Sequence, residues 1–331
     1  IVASATIYDY EEPLMTMRAF AVDEFGAPGA IHQLPVPEPA AGEVLVRVHA
    51  AGVNVMDPIY TAGWMKDYME HRFPLVPGID LSGVVERVGA GVDRFAAGDE
   101  VYGIVAKPIV GEGTFADSVV VKADSLAPKP ASLTHKQAAA IPHVGLTALA
   151  AVEASDPQPG QVVMVVGASG GVGSFVTQLA AARGATVVAV ASGPGAAQAR
   201  EYGASDAVDY SKGDVVEQLR SRHPEGVDAL IDLHSDADVL ARYGEAVRSG
   251  GVVVSPRGPA AAAAPMLQKH GVRFVSANRL PALRLPDLTA LIDGGQLRVP
   301  PIKSFPLEEA SAAIAEMAGG HVRGKLVIEI A

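Results

Sequence analysis

The strongest constraint on this chain lies near its middle. Val162-Val163-Met164-Val165-Val166 is an unbroken apolar run that ends in Gly167-Ala168-Ser169-Gly170-Gly171-Val172-Gly173. A run apolar at every position is buried on both faces, as a strand inside a parallel sheet is. From Ala168 the residues read A-x-G-x-x-G. Gly170 lets the backbone approach a pyrophosphate that a Cβ would obstruct, and Gly173 lets the next helix pack close to the strand. That helix's N-terminus offers free N–H groups and the positive end of its dipole. An ordinary tight strand-to-helix turn could produce the same string. Here an apolar helix follows (Ser174 to Arg183), and a second buried run starts about 20 residues on, at Val187-Val188-Ala189-Val190-Ala191. The context predicts a dinucleotide site at Ala168, Ser169, Gly170, Gly171, Val172 and Gly173.

The pattern repeats downstream. Apolar runs at Ala229–Asp232, Val252–Val254 and Val272–Val275 alternate with helical stretches at Gly195–Tyr202, Val215–Arg222 and Ala237–Val247. Strand and helix in alternation predict an α/β, doubly wound parallel sheet. Upstream the style is different. Met17–Val22, Gly42–Ala50, Gly83–Gly89, Asp99–Gly103 and Phe115–Val121 read as short strands punctuated by Gly and Pro. This spacing predicts a compact, barrel-like β domain. The tail is mixed: Leu285–Leu291 and Leu307–Met317 read as helices, and Leu326–Ile330 as a final strand. Residues 1–16 read as a leader or extension.

Composition removes whole classes of chemistry. The 331-residue chain has no cysteine, so disulfides, thiol nucleophiles and thiolate zinc sites are excluded. Its histidines are scattered, with no His-x-x-x-His, and no metal is expected. The formal charge of −11, with no basic run to offset it, argues against nucleic acid. No apolar run reaches the ~20 residues of a membrane span, and no signal pattern opens the chain, so the expected location is cytoplasmic.

Preference between nicotinamide cofactors is read from an absence. An acid at the end of the second strand would bind the ribose 2′-hydroxyl of NAD and repel the 2′-phosphate of NADP. That strand ends at Ala191-Ser192-Gly193, with no Asp or Glu from Pro157 through Arg200. Ser192 has a hydroxyl for a phosphate. Arg200 either neutralises that phosphate or is a surface helix charge. NADPH is the expected cofactor.

Taken together, Ala51-Gly52-Val53-Asn54-x-x-Asp57, Pro77-Gly78-Ile79-Asp80-x-x-Gly83, Gly98-Asp99-x-Val101-Tyr102-Gly103, Gly113-Thr114-Phe115-Ala116, Leu146-Thr147-Ala148, the glycine-rich turn, Tyr210 and Gly324-Lys325 resemble a known group. It is the medium-chain dehydrogenase/reductase superfamily, within it the zinc-independent quinone oxidoreductase branch. The resemblance covers the chain from about Met17 to its end. It implies a GroES-like β-barrel catalytic domain (17–143 and 282–331) around a Rossmann domain (144–281), with the nicotinamide between them. It also implies a homodimer through the Rossmann domain, paired at the edge strand Val272–Ser276. The superfamily's zinc alcohol dehydrogenases carry Cys and His-Glu where this chain has Asn54 and Ile79-Asp80, so no catalytic zinc is implied.

The resemblance also assigns candidate roles. Asn54 lies beside nicotinamide and substrate, where its amide would bond the ribose or a carbonyl oxygen. Asp57 reads as a helix N-cap. Tyr60, and less directly Tyr68, are candidate phenol donors, because the family's tyrosine position is Ile59 here; a packed aromatic is the other reading of Tyr60. Thr147 borders the nicotinamide. Tyr210 reaches the 2′-phosphate, while the family's lysine upstream of it is Gly195. Arg257 follows a strand near the nicotinamide and either approaches the phosphate or is solvated. Lys325 is placed on the cofactor side. The expected activity is hydride transfer from NADPH to a quinone or other α,β-unsaturated carbonyl. The rivals are an enoyl-thioester reductase, which needs a basic entrance where Lys66, His71 and Arg72 are a thin patch, and a catalytically silent NADPH-binding regulatory protein.

Overall fold

The fold was examined in a computed structural model that describes residues 15–278, 284–320 and 322–331. Two large sheets organise it. The six-stranded sheet is parallel throughout, in the spatial order Asp206–Val208, Thr186–Val190, Val162–Val166, Val227–Asp232, Val247–Ser255, Arg273–Ser276. In chain order this is 3-2-1-4-5-6, the doubly wound dinucleotide-binding arrangement. The order of connection reverses between the parallel strands Val162–Val166 and Val227–Asp232, so a crevice opens beyond their carboxyl ends, where Gly167 begins the glycine-rich turn. Val163, Met164, Val165, Val187, Val188, Leu230 and Ile231 are buried, as continuous apolar runs require when helices cover both faces.

The seven-stranded sheet runs Ile302–Pro306, Lys325–Glu329, Glu43–Val53, Asp80–Val88, Glu100–Ile104, Leu126–Pro128, with Ser118–Lys122 also on Glu43–Val53. Glu43–Val53 is its spine. One end pairs with Ser118–Lys122, the other with the C-terminal strand, and its length pairs with Asp80–Val88. Two small ribbons complete this half: Thr16–Ala21 with Ala30–Pro35, and Glu70–Val76 with Ile109–Glu112.

The strands Ala30–Pro35, Glu70–Val76, Ile109–Glu112 and Ile302–Pro306 have no strong alternation and are absent from the sequence reading. The expected helix to Val247 ends at Gly244, and Val247 already belongs to the next strand. The expected domain limit at 143/144 falls in the first turn of a helix, Pro142–Ser155. The limit at 281/282 lies outside the described residues. The two halves are stitched at one point that matters for the site. Gly170 and Gly324 form an isolated parallel bridge, with Gly324 N–H donating to Ser169 O at 3.0 Å. Among the described residues no helix is long and apolar enough to cross a membrane.

Candidate active site

The phosphate end of the crevice is built from backbone. Gly167 has φ +77°, which turns the chain out of its strand. Gly170 is the N-cap of the helix Gly171–Ala182 and supplies no side-chain cap, so no side chain of its own satisfies the N–H groups of the helix's first turn. A Cβ on Gly173 would lie 2.1 Å from Gly167 O. That glycine is needed by the protein itself. A Cβ on Gly170 would meet nothing closer than Gly167 O at 3.5 Å. No protein neighbour requires Gly170, whose missing Cβ leaves room at the helix mouth. Together these features fit a dinucleotide pyrophosphate. Ala168 is buried behind the turn, and Ser169, Gly171 and Val172 continue it.

The next strand end brings two expected residues together. Ser192 Oγ and Tyr210 OH are hydrogen-bonded at 3.0 Å, with Tyr210 exposed. Gly195 is buried, and a Cβ there would lie 2.9 Å from Ser169 Oγ, so a longer side chain has no room. Arg200 is not part of this group. It sits exposed in the last turn of Pro194–Glu201, and its field acts on Asp206, which pairs with Val188 at mid-strand, short of the strand end that carries Ser192. The expectation that it neutralises a 2′-phosphate is therefore corrected to a surface helix charge. Arg257 is exposed just beyond Ser255, and its charge acts on buried Asp232 at the crevice mouth.

The other end of the crevice is built from side chains. Lys325 and Asp80 are almost wholly buried (2% and 0% side-chain exposure), with Nζ 3.4 Å from Asp80 Oδ2. Lys325 Nζ also donates to Val53 O at 2.8 Å and to Asn54 Oδ1. Asn54 Nδ2 donates to Gly52 O at 3.2 Å and to Asp80 Oδ2 at 3.1 Å. Every polar position of the Asn54 amide is thus taken. The expected bond from Asn54 to a substrate carbonyl is corrected: it has no free donor. Lys325 is corrected too. Its strand touches the glycine-rich turn, but its ammonium turns inward to hold Asn54 and Asp80. Burial lowers its pKa while Asp80 and Asp57 oppose that shift.

Asp57 is not the helix cap. Val55 holds that position on Met56–Thr61. The Asp57 carboxylate instead accepts from Asn54 N at 2.6 Å and Gly78 N at 3.0 Å, clamping two loops. Burial pushes its pKa up to about 7 against those bonds and Lys325. Asp80 Oδ1 accepts from the backbone N–H of His143 at 2.9 Å. His143 was passed over in the sequence; its signal was a histidine directly after Pro142, at a helix start. Thr147 donates Oγ1–H to His143 O at 2.7 Å, one turn back in the same helix.

Tyr60 lines a small cavity of about 60 Å³ with Met69, Gly78, Ile79, Lys107 and Glu112. Among the described residues its hydroxyl has no hydrogen-bond partner. Burial, then Asp57, raises its pKa, so it stays a phenol. Tyr68 is 80% exposed on the adjoining loop. The donors at the cleft floor do not fit zinc. Position 79 is Ile, and Asn54 is bonded to an ammonium.

The chain matches the family described as "Alcohol dehydrogenase GroES-like domain" over residues 40–131 and that described as "Zinc-binding dehydrogenase" over 202–328. It is 34% identical to the human "NAD(P)H oxidoreductase RTN4IP1, mitochondrial", over 95% of this chain and 89% of that protein. It is 31% identical to the Arabidopsis thaliana "NADPH-dependent alkenal/one oxidoreductase, chloroplastic", over 94% of this chain and 79% of that protein. The solved structure of the quinone oxidoreductase from Coxiella burnetii superposes with TM-score 0.85 at 30% identity, over 96% of this chain and all of that one.

Proposed function

Since the chain belongs to the quinone oxidoreductase-like branch of the medium-chain dehydrogenase/reductase superfamily, we propose that it is an NADPH-dependent reductase of quinones and other α,β-unsaturated carbonyls, working without zinc. The observation that carries this reading is the donor set at the cleft floor. An ammonium–amide–carboxylate cluster, Lys325–Asn54–Asp80, stands beside a dinucleotide cradle, its one carboxylate paired to the ammonium and no thiolate or imidazole within it to complete a zinc site. A saturated alcohol would need a metal to acidify it. A conjugated carbonyl spreads developing charge onto its own oxygen and needs only orientation and a hydrogen-bond donor.

The bound cofactor would supply the hydride from C4 of its nicotinamide. The chain's own residues do the rest. Backbone N–H groups of the helix's first turn, at Val172 and Gly173, hold the pyrophosphate. The Ser192 and Tyr210 hydroxyls bind the 2′-phosphate, which the absence of an acid there leaves unopposed, and Arg257 adds positive charge at the crevice mouth. Thr147 borders the nicotinamide. The acceptor lies between Tyr60 and Gly78–Ile79, where the phenol holds a proton at the cavity wall. The half-buried edge strand Arg273–Ser276 is the surface through which two copies would pair as a homodimer.

The test is the loss of reduced-nicotinamide absorbance, with NADPH and NADH in parallel, against quinones, 2-enals, enones and an enoyl-CoA. Turnover with NADPH and quinones or enones is expected, with NADPH bound more tightly than NADH. Tight NADPH binding with no turnover on any acceptor would overturn the reductase reading in favour of a binding role.

A further inference from the structure

Hydrogen-bond accounting at the cleft floor points to a residue with no assigned part in the chemistry. A reductase of conjugated carbonyls needs a donor at the oxygen where charge develops. Asn54 has none to spare, because Nδ2 is committed to Gly52 O and Asp80. Lys325 is committed to Val53 O, Asn54 and Asp80. Thr147 gives its hydrogen to His143 O. Asp57 and Asp80 are clamps that accept from backbone N–H groups. Tyr60 and His143 remain of these, and among the described residues Thr114 Oγ1, beside Gly78 of the cavity wall, is also enclosed without a partner.

His143 is anchored at the junction of the two halves. Its backbone N–H is held by Asp80 Oδ1, next to Ile79 of the cavity wall. Its neighbour Val144 abuts the glycine-rich turn, with Cγ1 3.1 Å from where a Cβ on Gly171 would lie. The residue is half-buried, and its Nδ1 is enclosed with no partner. An enclosed N–H without an acceptor costs more than an enclosed lone pair. The neutral ring therefore carries its hydrogen on Nε2. Burial holds the imidazole below its ordinary pKa; Asp80 opposes that shift and Lys325 reinforces it. A neutral ring near pH 7 donates a hydrogen bond without losing its proton.

We propose that His143 Nε2–H donates the hydrogen bond to the acceptor's carbonyl oxygen, the role Asn54 is unable to fill. The proposal rests on the reductase reading. Two electrons arrive with the hydride at the conjugated carbon, the nicotinamide is oxidised, and the π pair moves to the oxygen. That oxygen, held by His143, then takes a proton from solvent.

The experiment compares wild type, His143→Leu and His143→Gln. Three quantities are read: kcat/KM for a quinone, Kd for NADPH, and Kd for 4-nitrophenolate. The last is a phenolate mimic of the developing anion, followed by its absorbance shift in the presence of NADP. His143→Leu is expected to lower kcat/KM by about 10²–10³-fold, with 4-nitrophenolate binding weakened about tenfold and NADPH affinity held within about threefold. His143→Gln, which keeps an N–H donor, is expected to recover at least about tenfold of the lost kcat/KM. Turnover and 4-nitrophenolate binding within about threefold of wild type in His143→Leu would overturn the donor role alone. So would a Gln variant as impaired as Leu, with NADPH binding lost in both, because that is the pattern of a structural role. A wild type inactive on every acceptor would overturn the reductase reading and the donor role with it.

Discussion

The two ends of the cleft are made in different ways. At the phosphate end, recognition is assigned to backbone: a glycine turn and an uncapped helix, all within residues 167–174. At the other end it is side chain against side chain. Lys325, Asn54 with Asp57, Asp80 and His143 come from four separate stretches of chain that meet only when the sheets assemble. The first end tolerates change where nothing packs against it. The second is a set of buried charges and an amide, Lys325, Asp80, Asp57 and Asn54, that hold one another and the surrounding backbone. Backbone sites are therefore local and separable, and charge clusters are global and coupled.

Lys325→Met should have the largest effect. It leaves the buried Asp80 and Asp57 carboxyls without their cation, which costs about 3–5 kcal/mol when one partner of a buried pair is removed. Urea unfolding reads it, and adding Asp80→Asn should recover part of the loss. A loss below about 1 kcal/mol would mean the cluster is not coupled. Gly173→Ala should cost about 1–3 kcal/mol by the same assay, because its Cβ would overlap the Gly167 carbonyl.

Asp57 sharpens the comparison through pH. Its folded pKa of about 7 lies above the unfolded value of 3.8, so the folded state binds the extra proton between them. That contribution is complete below the unfolded value and is lost as pH rises through about 7. The difference in unfolding free energy between wild type and Asp57→Asn should fall as pH rises, at no more than about 1.4 kcal/mol per unit. A flat difference would mean the carboxyl is already ionised when folded.

Gly170→Ala is the counterpart of Gly173→Ala. Its φ of −77° suits alanine and its Cβ would meet open space. Stability should hold within about 0.5 kcal/mol while NADPH affinity falls about tenfold. An unchanged affinity by fluorescence titration would move the pyrophosphate elsewhere. Tyr210→Phe should have the smallest effect. It should reduce the preference for NADPH over NADH only a few-fold, as one exposed hydrogen bond does.

Legibility in the sequence followed the same division. The glycine turn, the buried strand runs and the missing acid after Val190 depend on short-range patterns, and they located the cradle and the Ser192–Tyr210 pair. The six short strands outside the strong runs, Leu126–Pro128 and Asp206–Val208 among them, do not show in the sequence because such segments gain strand geometry only from a partner strand. Asp57 looked like a cap because Asp near a helix start usually is one. Only Gly78, 21 residues away, reveals the clamp. Asn54 carries an amide that the sequence offers as a donor. That its hydrogens are spent is a statement about Asp80 and Lys325, 26 and 271 residues distant.

By itself, then, the sequence determined the doubly wound architecture, the β-rich half around it and the place of the dinucleotide cradle. Periodicity and glycine spacing act within a few residues, and backbone recognition needs nothing more. Tertiary structure alone decided which polar hydrogens remain free at the cleft floor. A buried charge takes whichever partners the assembled sheets bring within about 3 Å. Here that assembly commits Asn54 and Lys325 to the interior, and among the described residues it leaves His143 Nδ1 enclosed without a partner.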